Sequence, residues 1–468
     1  MKYFLSILAS LMLLAGCVAT TQVQTIENTS TWTTLPPETL SILESANLKS
    51  QWKYIRDVSI YNRLRELRKN QYMDENDVVK SLSNDFCQEY FRKIDDIRSK
   101  TLNQTNMSIS PNTCSQFIRN EAFKGNTLPL KNILVFWAQN DKFKLQRNGD
   151  FHYSYYETLG ILIPAFAELE HLIALNGTEK AQIYEWMRGV LRAPLAPSFK
   201  DTGQQPRCNV LIGKHHFVDD CGSTRFRYTN TRLLGALLTG DQELFEIAKA
   251  DTAYILSFFD DAGVHKGMAV RGGLALGYSS TVPYHMAQLA EIYATIDVDL
   301  YALELNEDGL TLADAIGAHF ALWDDPSPLL RYAKYNKGNK GFDWTLLKSS
   351  EYKYDQKLQL VRPAPKESIA FHSIRYVEKY DQSLKKYVLA FKRNNQLLLG
   401  QWGSDVNAVY LANKKYSSAD EEEWYSDSAS VQLKEIPVVR ELPKVSENGC
   451  TDPYFAALFP ESCSSKDN

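Results

Sequence analysis

The chain has 468 residues, with 52 Lys and Arg against 56 Asp and Glu for a formal charge of −4; hydrophobic residues make up 44% and charged residues 23%. That apolar content excludes a disordered polymer, which could not bury enough surface to offset chain entropy, and the lack of basic excess argues against a nucleic-acid partner. No second apolar run long enough to span a bilayer follows the N-terminus, so the chain does not read as a polytopic membrane protein; its length accommodates two or three domains, or one large toroid or barrel with an appendage.

The N-terminus reads Met1-Lys2-Tyr3, then apolar from Phe4 to Leu14, then Ala15-Gly16-Cys17. One positive charge before a short apolar run has the form of an export signal and is too short for a membrane anchor. The Leu14-Ala15-Gly16-Cys17 end resembles the lipobox of bacterial lipoproteins, which implies cleavage after residue 16 and acylation of Cys17. A periplasmic or outer-membrane lipoprotein, held to the membrane by an N-terminal lipid, is therefore expected. A plain secretory signal is the alternative. Seven cysteines less Cys17 leave an even number, which in an exported chain reads as three disulfides. Sequence proximity pairs Cys87 with Cys114, Cys208 with Cys221 and Cys450 with Cys463, one of several connectivities open to them. No zinc-ligand spacing accompanies the cysteines, so no metal is expected.

Residues 18–33 are polar and Thr-rich, and the stretch 17–35 reads as a tether. From Pro36 to Tyr335 apolar residues recur at three- and four-residue spacings. Examples are Ile60, Leu64 and Leu67; Leu159, Leu162, Phe166 and Leu169; and Leu233, Leu234, Leu237 and Leu238. Stop signals stand at Asn176-Gly177, Thr239-Gly240-Asp241 and Asp308-Gly309. Asp241 is placed to cap the helix that carries Leu244 and Phe245. Residues 36–339 thus read as a mainly α body, an array of antiparallel helical hairpins. After Trp344 the texture changes to short apolar runs split by turn-formers: Leu358–Val361, Tyr387–Phe391, Gln396–Leu399 and Val431–Leu433. With Asn394-Asn395 as a hairpin turn, residues 340–468 read as a small, partly β C-terminal appendage. Its end, Asn448 to Ser464, reads as a disulfide-closed tail.

The most informative stretch is Asp260-Asp261-Ala262-Gly263, continuing to Arg271-Gly272-Gly273-Leu274-Ala275-Leu276-Gly277-Tyr278. In a helical array this string resembles the alginate lyase family of polysaccharide lyases. Trp137-Ala138-Gln139-Asn140, the Gly235…Thr239-Gly240-Asp241 turn and Leu289-Ala290-Glu291-Ile292 extend the resemblance over roughly residues 120–330. The resemblance implies an α/α toroid (an incomplete helical barrel) and β-elimination on an anionic, uronate-containing polysaccharide, with no cofactor.

The residue types suit that chemistry. Elimination removes the C5 proton beside the uronate carboxylate and expels the C4 oxygen. A guanidinium or amide on the carboxylate stabilises the enolate-like intermediate. A Tyr or His serves as base, and a Tyr can protonate the leaving oxygen. Seven residues are about two helical turns, which would put Arg271 and Tyr278 on one face about 10 Å apart. By resemblance, Arg271 neutralises the carboxylate and Tyr278 is the acid, with the role of base also open to it. The family's Asn-His pair is Ser223-Thr224 here, and its Glu three residues before the Arg is Met268. Ser223 can supply part of the carboxylate binding, but neither residue replaces an imidazole. The substitutes on offer are His215 and His216, beside Lys214, in a loop closed by the expected Cys208–Cys221 bond, with Asp219 or Asp220 to orient a ring. His265 and His285 flank the Arg–Tyr element as further candidates. Arg225 and Arg232 share a helical face and are candidate carboxylate ligands, although such clusters more often pair with nearby acids. The aromatic run from Phe151 to Tyr156, with His152, would line a glycan groove or pack in the core. Two competing functions remain open: a glycan-binding or envelope-structural lipoprotein that kept the fold and lost the base, and a glycoside hydrolase using a carboxylate pair.

Overall fold

The computed structural model describes residues 35–68, 83–93, 102–104, 107–109, 111–143, 158–192, 222–270, 275–333, 366–394, 404–414 and 417. The chain divides into the units Met1–Trp32 and Thr33–Asn468, and every described residue belongs to the second. Its helices are α1 (Pro37–Ser45), α2 (Val58–Arg68), α3 (Asn84–Lys93), α4 (Pro111–Lys124), α5 (Leu128–Gln139), α6 (Gly160–Leu169), α7 (Gly177–Arg192), α8 (Ser223–Thr239), α9 (Gln242–Leu256), α10 (Lys266–Ala269), α11 (Ala275–Ser279), α12 (Val282–Ala294), α13 (Leu312–Ala321), α14 (Leu330–Ala333), α15 (Lys366–Phe371), α16 (Ile374–Lys379), α17 (Lys385–Asn394) and α18 (Val406–Asn413). Among the described residues the only sheet is a pair of three-residue antiparallel strands, Leu102–Gln104 and Met107–Ile109.

The helices pack in two rows. In one, α4, α6, α8 and α12 lie side by side, and α12 continues through α18 to α2; in the other, α3, α5, α7 and α9 are neighbours. Sequence-adjacent contacts α4–α5, α7–α8 and α8–α9 join the rows. This is the incomplete α/α toroid expected from the sequence. The second row is tied by aromatic edges: Phe91 of α3 meets Trp137 of α5 at 5.3 Å between ring centroids, and Trp137 meets Trp186 of α7 at 5.8 Å. In the first row every residue of α6 is buried, as its all-round apolar sequence demands.

Local chemistry sets the hairpins. Gly240 ends α8 in the left-handed region at φ 64°, and its N–H bonds Ala236 O. The Asp241 side chain then accepts from Leu244 N at 3.0 Å to start α9, as its position predicts. Asn176 and Glu179 cap each other reciprocally at the start of α7, both bonds at 2.9 Å. The disulfide Cys87–Cys114 joins α3 to α4 with 5.3 Å between Cα atoms; a loop of that length contributes roughly 2–4 kcal/mol. Cys17, Cys208, Cys221, Cys450 and Cys463 lie outside the described residues, as do the signal and residues 17–34 of the expected tether; Leu35, its last residue, is buried in the main core.

The C-terminal expectation requires correction where it can be compared. Tyr387–Phe391 is not a strand but part of helix α17, and Asn394 ends that helix rather than opening a hairpin. A short apolar run does not distinguish strand from helix; among the described side chains of this one, Val388 is buried and Tyr387 and Leu389 are partly so. Nor do the described residues beyond 340 form a core of their own. Ile369, Phe371, Ile374, Val377, Val388, Val409 and Leu411 belong to the same buried cluster as Leu134, Leu162 and Leu289. Leu358–Val361, Gln396–Leu399, Val431–Leu433 and Asn448–Ser464 lie outside the described residues.

Candidate active site

The string that drew attention to this region separates into a turn that serves the fold and a half that carries the candidate residues Arg271 and Tyr278. In the turn after α9, Asp260 Oδ1 accepts from the N–H groups of Ala262 (3.0 Å) and Val264 (2.8 Å), and its Oδ2 accepts from the Tyr332 hydroxyl at 2.7 Å. Gly263 has φ 77°, and a Cβ there would sit 2.9 Å from Ala315 Cα. Asp260 and Gly263 are thus the corner of a turn locked against α13 and α14, and His265 follows as the N-cap of α10.

Tyr278 lies in α11, one tight turn before α12, half-buried against the main core. Arg271 lies outside the described residues, and so do Lys214, His215, His216, Asp219, Asp220 and His152. Ser223 opens α8.

His265 and His285 are placed plainly, and neither faces solvent. His285 stacks on Phe226 at 5.0 Å with rings 2° from parallel, and it has no exposed surface. Burial pushes its imidazole well below the usual range, and the charge of Arg227 pushes the same way. His265 is enclosed by Phe226, Phe258 and Phe259, and its Nδ1 accepts from Met268 N at 3.3 Å. Burial, helped by His319 and Lys266, depresses it likewise. Both rings are neutral parts of the core.

Arg225 and Arg232 also differ from expectation. Arg225 Nη2 bonds Asp251 Oδ1 at 2.5 Å, and Arg232 Nη1 bonds Asp251 Oδ2 at 2.8 Å. Arg232 Nε donates to Leu191 O at 3.0 Å, with its guanidinium 4.1 Å over the Tyr228 ring. They do share a helical face, but that face is turned to α9, whose Asp251 takes the charge a polysaccharide was expected to take.

The polar residues of α8 that face the adjacent row member are instead Arg227 and Asn230. Asn230 Nδ2 donates to Gln288 Oε1 of α12 at 3.2 Å, and both residues, with Arg227, line a cavity of about 10 Å³ between α6, α8 and α12, room for one water at most. Tyr284 lies on the same helix as Gln288, and burial raises its phenol well above the usual range, with Arg227 pulling the other way. The spacing held a signal for this group. Arg227, Asn230 and Leu234 fall at i, i+3 and i+7, so two polar side chains occupy an otherwise apolar stripe. Such groups remain buried only when hydrogen-bonded.

Among the described residues no group of three or more His, Cys, Asp or Glu side chains is placed to hold a metal ion. No family model and no curated protein matches the chain. Among solved structures the chain is similar to alginate lyase A1-III from Sphingomonas species A1, with 13% identity and a TM-score of 0.41 over 69% of this chain and 94% of that one. Two variants of alginate lyase A1-III complexed with tetrasaccharide give 14% and 13% identity with TM-scores of 0.41 and 0.44, each over 66% of this chain and 90% of the other. Likeness at this level transfers no residue to this chain.

Proposed function

We propose that the protein is a polysaccharide lyase that cleaves an anionic, uronate-containing polysaccharide by β-elimination. The observation that carries the reading is Tyr278. It is a half-buried phenol on a short helix, at the end of an Arg271–Tyr278 string whose preceding turn is locked by Asp260 and Gly263. In this reading Arg271, with Ser223 or Lys214, neutralises the uronate carboxylate, and Tyr278 protonates the departing C4 oxygen. The base is Tyr278 itself or one imidazole of His215 and His216.

Turnover of alginate, followed as ultraviolet-absorbing unsaturated products, tests the proposal. Tyr278→Phe should lower turnover by roughly two to four orders of magnitude, the usual worth of a positioned acid or base, and leave polysaccharide binding intact. Full activity in the variant removes Tyr278 from the mechanism. New reducing ends without the absorbance would mark hydrolysis instead.

One observation favours a second reading, a glycan-binding lipoprotein without turnover. His265 and His285, the imidazoles nearest in sequence to Tyr278, are sealed in the core, and Ser223-Thr224 replaces the family's Asn-His pair. Binding of alginate with neither product signal would support it. In either reading we propose export as a lipoprotein through Cys17. Cys17→Ser should then release the chain from the membrane fraction, and a variant that stays attached refutes the anchor.

A further inference from the structure

The last turn of α12 carries a second arrangement of charge that the candidate active site does not use. Glu291 lies six residues beyond His285, about 9 Å further along the helix axis. It forms the floor of an open cavity of about 240 Å³, whose walls include Arg56, Arg375, Lys379, Tyr410 and Lys414. The carboxylate of Glu291 is 3% exposed; Oε2 accepts from Arg375 Nη1 at 3.4 Å, while Oε1, itself buried, has no hydrogen-bond partner. A buried carboxylate oxygen without a donor is costly, and the residue that carries it lines the cavity.

The walls carry the opposite charge. Arg375 reaches Asp299 at 3.6 Å and Lys379 reaches the same carboxylate at 3.9 Å, while Arg56 reaches Asp297 at 3.5 Å. Lys379 and Arg56 are 45% and 47% exposed, and such long, exposed pairs are of little individual worth, so these two cations can turn to a competing anion at small cost, whereas Arg375 is held by Glu291. Lys414 is held more firmly, 2.9 Å from Glu378, which also accepts from the Tyr410 hydroxyl at 2.6 Å. A ligand for this cavity must therefore bring a negative group for the rim and a polar hydrogen for the floor. Burial holds the Glu291 carboxyl up at about 7, so the floor presents both protonation states near neutrality. A hydroxyl, which donates and accepts, serves either state, whereas an ammonium serves only the ionised one.

We propose that the cavity binds a small hydroxy-carboxylate, its carboxylate on Lys379 and a hydroxyl beside Glu291. The site is separate from Tyr278 and does not depend on the lyase reading. Titration calorimetry of the full chain with glucuronate, acetate and glucose, at low salt and neutral pH, tests it. Glucuronate should bind roughly tenfold or more tightly than acetate, which lacks the hydroxyls, or glucose, which lacks the charge. Lys379→Ala changes a side chain that is 45% exposed. It should keep the wild-type melting temperature and lose roughly tenfold in glucuronate affinity, while Tyr278→Phe should leave that affinity unchanged. Acetate binding as tightly as glucuronate refutes the role of Glu291. Absence of glucuronate binding, or full affinity in Lys379→Ala, overturns the site.

Discussion

Replacing Asp251 by alanine separates a structural role for Arg225 and Arg232 from a substrate-binding one. In the folded chain Asp251 and Arg232 are 5% and 4% exposed, and the carboxylate bonds both guanidinium groups at 2.5 and 2.8 Å, tying α8 to α9. Removing it leaves two cations largely out of water facing the space it occupied. Breaking a buried pair from one side costs roughly 3–5 kcal/mol, because the charge left behind loses its compensation. For a chain of this size, with an unfolding entropy of about 1 kcal/mol/K, that is a fall of about 3–5 °C in melting temperature. Arg225→Met, which leaves Asp251 bonded to Arg232, should cost only about 1–2 kcal/mol. Thermal and urea melts of both variants provide the comparison, and alginate binding by Arg225→Met completes it. Affinity within about twofold of wild type is expected, since this guanidinium is committed to α9. An Asp251→Ala protein that melts within about 1 °C of wild type would refute the structural role. So would a stable Arg225→Met protein with roughly tenfold weaker alginate binding.

Two further outcomes follow from buried groups. The folded Glu291 carboxyl titrates at about 7 against an ordinary value of 4.5, so its contribution to stability is full below 4.5 and is lost as pH rises through 7. The stability of Glu291→Gln relative to wild type should therefore improve by about 3 kcal/mol between pH 4.5 and 8; a pH-independent difference in parallel urea titrations would contradict this. Gly263→Ala adds a Cβ 2.9 Å from Ala315 Cα at φ 77°. Backbone strain and overpacking together should cost about 3 kcal/mol, and a variant that melts like wild type would show that the turn yields to the added atom.

What the sequence made legible is what short-range chemistry decides. The α8–α9 hairpin was readable because its punctuation is local: Gly240 supplies the left-handed cap and Asp241 the next N-cap, within two residues. The helical body was readable because its apolar period persists over many turns. The partners of the charged groups were not. Arg225 and Arg232 were correctly placed on one face, yet their counter-ion lies 26 and 19 residues away on the next helix. Asp260 looked like part of a reactive string, but its work is to accept from Tyr332, 72 residues on. Glu291 stood out only as one letter of a family-like run. Its meaning comes from Arg375, which reaches it across 84 residues. Tyr387–Phe391 failed for a different reason, since five apolar residues fit either period.

The burial of the two imidazoles nearest Tyr278 in sequence narrows the chemistry more than their presence in the sequence widened it. A base must touch the C–H it deprotonates, and His265 and His285 touch phenylalanine rings instead. Their depressed basicity compounds this, because a ring that resists protonation in the core is a poor destination for a proton even where access exists. With His265 and His285 set aside, the proposed elimination looks to an imidazole from His215 or His216, or to double duty from Tyr278. The second demands more of the site. A phenol accepts a proton only once ionised, so a cation must face Tyr278 before the sugar arrives, and the same cation must then release enough of its hold for the phenol to pass that proton to the leaving oxygen. In the proposed reading Arg271 is the residue of the string whose charge suits both tasks.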